Sequence, residues 1–299
     1  MKYSLDLDAP LEGEVRRVAS ARLDAAARLL STQPRGLDEA IHDARRHIKQ
    51  CRSLYRLVAT GAKAFQTTEN ARLGDVGRRL SAMRDAKALV EVANYLKREI
   101  PTKANGLLMD RLARRLEHRK LAATKASDAA TDTIASAATD LREAAMHAQA
   151  LHLPHARRKA AACLARGWDR TGNKARDALE ATGQGHDEAF HDLRKRSQDR
   201  WMQAGLLQVL WPTAMRSIQR QAKYLSDLLG HAQDLAVLLE TVSETADLVG
   251  DTVESEAVRE MIASQRGHLH KQCRQLAADV FGKSRPRDRA MIERLLLDR

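Results

Sequence analysis

The segment DEAIHDARR at residues 38–46 returns as DEAFHDLRK at 187–195, identical at six of nine positions and conservatively replaced at two more. The two copies stand 149 residues apart in a chain of 299. Repetition at a fixed offset is the signature of a duplicated architecture, so the chain is constrained to fold as two related halves. A second pair tests the register. RDAKALVE at 84–91 and QDLAVLLE at 233–240 share the same offset, which maps Asp85 onto Asp234, Leu89 onto Leu238 and Glu91 onto Glu240.

The residues available to build each half are those of helices. Ala, Leu, Arg, Glu and Lys abound, while six prolines and 3% aromatics leave little for sheets. Helices are expected near 11–31, 38–62, 70–99 and 105–126, broken at Pro34, Gly36, Pro101 and Asn105-Gly106, and near 156–181, 187–210, 213–247 and 252–281, broken at Gly183-Gln184-Gly185, Trp211-Pro212 and Gly250. The expected fold is all-α: a four-helix half over 1–126, a connecting segment or extra helix over 127–155, a second four-helix half over 156–285, and a short C-terminal helix within 286–299. In that last helix Met291, Ile292, Leu295 and Leu296 form an apolar face suited to docking on a bundle.

Placed on a helix at about 100° per residue, His42, Arg45, Lys49, Arg52 and Arg56 fall at roughly 0°, 300°, 340°, 280° and 320°. The basic stripe is only about 80° wide. Ile41, Ala44, Ile48, Cys51, Tyr55 and Val58 occupy the adjoining arc from about 160° to 260°, which is the core face. Ordinary surface helices alternate charge sign, because like charges one turn apart repel. A stripe without acids therefore points to a polyanion that offsets the repulsion. In the second copy His191, Arg194 and Lys195 repeat the start, whereas Gln198 replaces Lys49, Trp201 replaces Arg52, and Arg200 moves to another face.

The pattern HxxRxxxKxxR at 42–52, its partial return at 191, the segments LSAMRD and LGHAQD ending at Asp85 and Asp234, and HLHKQCRQLAADVF at 268–281 together resemble the CHAD family, the conserved histidine α-helical domain. The resemblance runs from about residue 11 to 282. It implies two four-helix bundles related by pseudo-twofold symmetry, with a basic groove or channel between them that binds inorganic polyphosphate, association with polyphosphate granules, and no catalysis. Carried over by position, it implies ligand contacts at His42, Arg45, Lys49 and Arg52, and at His191, Arg194 and Lys195. The segment GWDRTGNKARDAL at 167–179 has Gly172 where the family usually has tyrosine, which reduces its expected contribution to Arg170, Lys174 and Arg176. Arg56 extends the first stripe, and Asp85 and Asp234 are expected to orient its arginines or histidines.

A formal charge of +12, from 51 Lys and Arg against 39 Asp and Glu, favours a polyanionic partner. Single strands are held on aromatic platforms, and of ten aromatics only Tyr55 and Trp201 neighbour the stripe, both expected in the core. Nucleic acid is therefore not the expected main partner; nucleic-acid binding or a scaffold role is the alternative. No Gly-rich phosphate loop, acid–base pair or nucleophile motif supports a phosphohydrolase or phosphotransferase acting on polyphosphate. The His-Asp doublets at 42–43, 186–187 and 191–192 sit on diverging helical directions, so neither metal nor cofactor is expected. Cys51, Cys163 and Cys273 form no CxxC, the amino terminus has acids where a signal peptide needs an apolar core, and no run spans a membrane. The expected location is cytoplasmic, at polyphosphate granules with possible granule-associated proteins.

Overall fold

The computed structural model describes residues 3–82, 85–99, 103–124, 128–245, 248–282 and 286–298. These form α1 (Leu11–Thr32), α2 (Leu37–Leu57), α3 (Lys63–Ala82), α4 (Asp85–Glu99), α5 (Lys103–Thr124), α6 (Asp128–His147), α7 (Arg157–Ala181), α8 (Asp187–Leu206), α9 (Pro212–Glu244), α10 (Thr252–Ala277) and α11 (Pro286–Leu297). No strand occurs among the described residues. The fold is all-α.

Helix ends follow local chemistry. Gly36 precedes α2 at φ 86°, a conformation that glycine adopts without steric cost, and Asp38 and Glu39 place negative charge at the positive end of the helix dipole. Asp251 caps α10 by accepting the Glu254 N–H at 2.8 Å. Proline opens α9, where its missing N–H has no intrahelical partner to lose.

The helices recur in the expected order: α2 and α8, then α5 and α10, occupy positions related by the repeat offset. Two segments differ from the sequence reading. The helix expected over 70–99 is two helices, α3 and α4, where the second half runs a single 33-residue α9. Of the half expected over 1–126, moreover, α4 and α5 leave α1–α3: Val92, Ala93, Leu96, Met109, Leu112 and Leu116 join the core built by α9, α10, the end of α7 and the start of α8. Their place in the first core is taken by α6, the extra helix that the sequence offers, beside a connector, as the reading of 127–155. Ile134, Ala137, Ala138, Leu141, Ala144 and Ala145 recur every three or four residues and bury against α1. The alanines keep the helix axes close, and Ser20 Oγ donates to the Ala145 carbonyl at 3.1 Å. The docking face of α11 behaves as expected in part: Ile292 and Leu296 are buried on α7, while Met291 is 37% exposed.

The halves are joined where α2 and α8 cross. Ser53 Oγ donates to the Asp199 carbonyl at 3.3 Å, Leu5 N–H donates to the Leu206 carbonyl at 3.1 Å, and Tyr3 OH donates to the Gln50 carbonyl at 2.9 Å, so the amino-terminal segment straps both halves. The first turns of α7 approach the end of α2 so closely that a Cβ at Gly167 would lie 1.7 Å from the Leu57 carbonyl oxygen. Backbone cannot yield as a flexible side chain can. Gly167→Ala is thus expected to destabilise the protein by about 3 kcal/mol, the upper range of overpacking, and Gly183→Ala, with nothing within 4 Å of its Cβ, to change stability little. Denaturant midpoints at unchanged m-value would measure both.

Candidate functional site

Helices α2, α8 and α9, with the end of α3 and part of α4, enclose a cleft of about 760 Å³. From α2 it receives His42, Arg45, Arg46 and Lys49; from α8, Arg194, Gln198, Trp201 and Met202; from α9, Lys223, Asp227, His231 and Asp234. Arg45 is fixed against α3, donating to the Gly77 carbonyl at 2.7 Å and to Ser81 Oγ. Its repeat equivalent, Arg194, packs against α9 at Gly230, where a Cβ would stand 3.3 Å from Arg194 Nη2. Gly230 is the equivalent of Ser81, so both repeats seat the arginine over a small residue of the following helix. His231 is held by ring contact with Tyr95 of α4, centroids 4.4 Å apart, and Gln265 donates to Tyr95 OH at 3.3 Å. The transfer of α4 onto the second core thereby completes one wall of the cleft.

Trp201 is not in the core, as the sequence reading expects, but lines this cleft at intermediate exposure; Tyr55 is fully buried. The change relocates a charge instead of deleting it. Arg52 of the first repeat lies over Gly74, whereas at the equivalent pair Trp201 lies under Lys223, whose Nζ is 5.3 Å from the ring centroid. The cation missing from α8 is supplied by α9. Lys223 and Arg46 are cleft residues that the stripe analysis misses, since neither shares the helical arc on which that analysis rests.

The remaining positions divide. Arg52, its Nε buried without a hydrogen-bond partner, and Arg56, paired with Asp199 at 2.7 Å, continue the α2 stripe beyond the cleft. Lys174 and the exposed Arg170 of α7 lie near Arg56 and Arg196; Lys174 and Arg196 line a separate groove of about 490 Å³ between α7 and α8. Burial, then repulsion from Arg196, Arg170 and Arg56, lowers the Lys174 pKa from its ordinary value. Lys195 pairs with Asp192 at 2.9 Å and does not line the cleft. Arg176 bonds Asn173 beside Gly172. The space that Gly172 leaves is filled by Arg200, which is buried and stacked on Trp168 with its guanidinium carbon 3.9 Å from the ring centroid. Asp234 lines the cleft, and the side chain of Asp85 lies outside the described residues. Among the described residues no group of three or more His, Cys, Asp or Glu could hold a metal ion, and no helix is long and apolar enough to cross a membrane.

His47, through burial and then Arg22, His191, through burial and then Lys195 and Arg194, and His270, through burial and then Arg266, have pKa values below the ordinary one. The folded state therefore prefers their neutral forms, and the unfolded chain takes up protons first as pH falls. Their contribution to stability is complete above the unfolded value, about 6.5, and is lost progressively below it. The melting temperature is expected to be level from about pH 8 to 7 and to fall from about pH 6.5 toward 5, before carboxylates titrate. Differential scanning calorimetry across that range checks this.

Fold and site together define an all-α protein of repeated helices that presents a histidine-headed basic stripe at a cleft between its halves. The chain belongs to the CHAD-domain family, whose model, described as CHAD domain, matches residues 16–243. Among solved structures it resembles the CHAD domain from the plant Ricinus communis, at 20% identity and a TM-score of 0.54 over 98% of this chain and 94% of that one. It also resembles PptA from Streptomyces chartreusis, at 17% identity and a TM-score of 0.58 over 92% of this chain and 100% of that one. At these identities the likeness is one of fold. No curated protein matches the chain.

Proposed function

We propose that the protein binds inorganic polyphosphate in the α2–α8 cleft and releases it unaltered. The observation that carries this reading is the convergence of Arg45 and Arg194, equivalent positions of the two repeats, on one cleft. The Nε atoms of Arg52 and Arg194 are buried without hydrogen-bond partners among the described residues. A buried cationic donor left unpaired is costly, and phosphate oxygens match the guanidinium fork. The cleft also holds Glu91, Asp227 and Asp234, of which Asp227 is paired with Lys223 at 2.6 Å. Retention at polyphosphate granules in the cytoplasm, with granule-associated proteins as further partners, belongs to the same reading.

Trp201 gives a second reading some footing, because an aromatic ring beside cations can stack a base. One ring already covered by Lys223 is a poor platform for successive bases. Long-chain polyphosphate is therefore expected to outcompete single- and double-stranded nucleic acid of equal phosphate content; the reverse order would move the assignment to nucleic acid. Affinity should fall steeply between low and physiological salt as released counterions lose their entropic advantage. Polyphosphate chain length should be unchanged after prolonged incubation, on gels, with or without added divalent metal.

Replacing Arg45, Lys49 and Arg52 together by glutamine is expected to cost at least about 2 kcal/mol of binding, since charge-assisted hydrogen bonds each contribute roughly 1.5–3 kcal/mol. Helicity should persist, because the basic arc is separate from the buried arc of α2. In the second repeat the effect should split: Arg194→Gln weakens binding, and Lys195→Gln, which breaks only the exposed pair with Asp192, leaves it within about twofold. Titration calorimetry with circular dichroism measures both sets.

A further inference from the structure

We propose that Asp199 is a built-in counter-anion that ends the usable part of the basic stripe and so sets how much of a polyphosphate chain the protein engages. The inference rests on the polyphosphate reading above and deepens it. The Asp199 side chain is 2% exposed. It accepts from Arg56 Nη1 of α2 at 2.7 Å and from Arg196 Nη1 of its own helix at 3.4 Å. Arg52 and Lys174 lie within electrostatic reach of it. One carboxylate thus sits among four cations drawn from α2, α7 and α8. At the equivalent place in the first repeat stands Gln50, neutral and also buried. The device is present once, on one side of the α2–α8 crossing.

Its chemistry is that of the proposed ligand. A carboxylate oxygen and a phosphate oxygen accept the same guanidinium hydrogens, so Asp199 and a phosphate compete for Arg56 and Arg196. A buried carboxylate cannot be left without its cations, which keeps Arg56 turned toward Asp199. Arg56 falls on the basic arc of α2, yet its charge is already matched inside the protein. A chain lying on Arg45, Lys49 and Arg194 meets the cations that line the cleft. Past Arg52 it meets a partly neutralised patch in which the carboxylate repels it. Short chains confined to the cleft should be indifferent to Asp199; long chains should sense it.

The test uses the full-length protein, tripolyphosphate as the short probe and long-chain polyphosphate as the long one, with Asp199→Asn and the Asp199→Asn/Arg56→Gln double variant. Asp199→Asn is expected to bind long-chain polyphosphate at least about tenfold more tightly at low salt, since a unit charge is removed beside several cations in a half-buried site. The slope of log affinity against log salt should steepen by about one. Tripolyphosphate affinity should stay within about twofold on the same electrostatic grounds. The double variant, which restores local charge balance, should return long-chain affinity to the wild-type value. A merely structural ion pair would produce unchanged or weaker long-chain binding and an unchanged slope, and either result overturns the proposal. Should Asp199→Asn fail to reach wild-type helicity, the double variant is compared with Arg56→Gln alone: tighter long-chain binding by the double variant, from which the carboxylate is gone, supports the inference, and equal or weaker binding overturns it. If the wild-type protein binds neither probe, the polyphosphate reading itself falls; if it binds both and Asp199→Asn changes nothing, only the inference about Asp199 falls.

Discussion

Like-charge repulsion is the constraint on which this structure turns. Arginines and lysines stand one helical turn apart along α2, and α8 brings further cations against them. Helices so charged separate unless packing holds them together and acceptors spread the charge. The protein answers with apolar arcs on α1, α2 and α3, which bury Ile48, Leu54 and Leu73, and with the close approach of α7 to the α2 carboxyl end at Gly167. Acceptors then take individual cations: the Gly77 carbonyl for Arg45, Asp199 for Arg56 and Arg196, and Asp227 for Lys223 at 2.6 Å. Arg45, Arg46, Lys49, Arg194 and Lys223 remain along the cleft that α2, α8 and α9 share, beside Glu91, Asp227 and Asp234.

The two repeats meet the same geometric requirement by different chemistry. Arg45 and Arg194 are retained, and each lies over a small residue, Ser81 or Gly230. Arg52 with Gly74 is exchanged for Trp201 with Lys223, so the bulky group and the charged group trade helices while a cation stays nearby. A comparable trade links Gly172 and Arg200, in which the absent side chain of one helix receives the buried guanidinium of the next. Such exchanges conserve volume and charge at a locus and not at a position.

That distinction explains what could be read in the sequence. The repeat of DEAIHDARR, the all-helical class and the basic arc of α2 follow from spacing alone, because a helix fixes which residues share a face. The apolar residues of α4, α5 and α6 form buried faces, but an apolar face does not say which core it will enter. Hence 127–155 reads as either a connector or an extra helix, where Ile134 and Leu141 are in fact buried in the first core, and α4 reads as continuous with α3 although it packs on α9. Lys223, on a different helix from the stripe, and Asp199, a lone acid whose partners are 143 and three residues away, become visible only in three dimensions.

The displacement of α4 and α5 onto the second core has a consequence for how the chain is made. When the first 124 residues have emerged during synthesis, Val92, Leu96, Met109 and Leu112 have only the α4–α5 pair itself to pack on, because α9 begins at Pro212, 88 residues further along (212 − 124). The first half cannot close as an autonomous unit. Contacts of such sequence separation form late and carry a large loop-closure entropy. A nascent or truncated first half therefore exposes an apolar hairpin for the whole time that the second half takes to arrive, which makes that hairpin the natural point of engagement for chaperones and the natural seed for exchange between neighbouring copies.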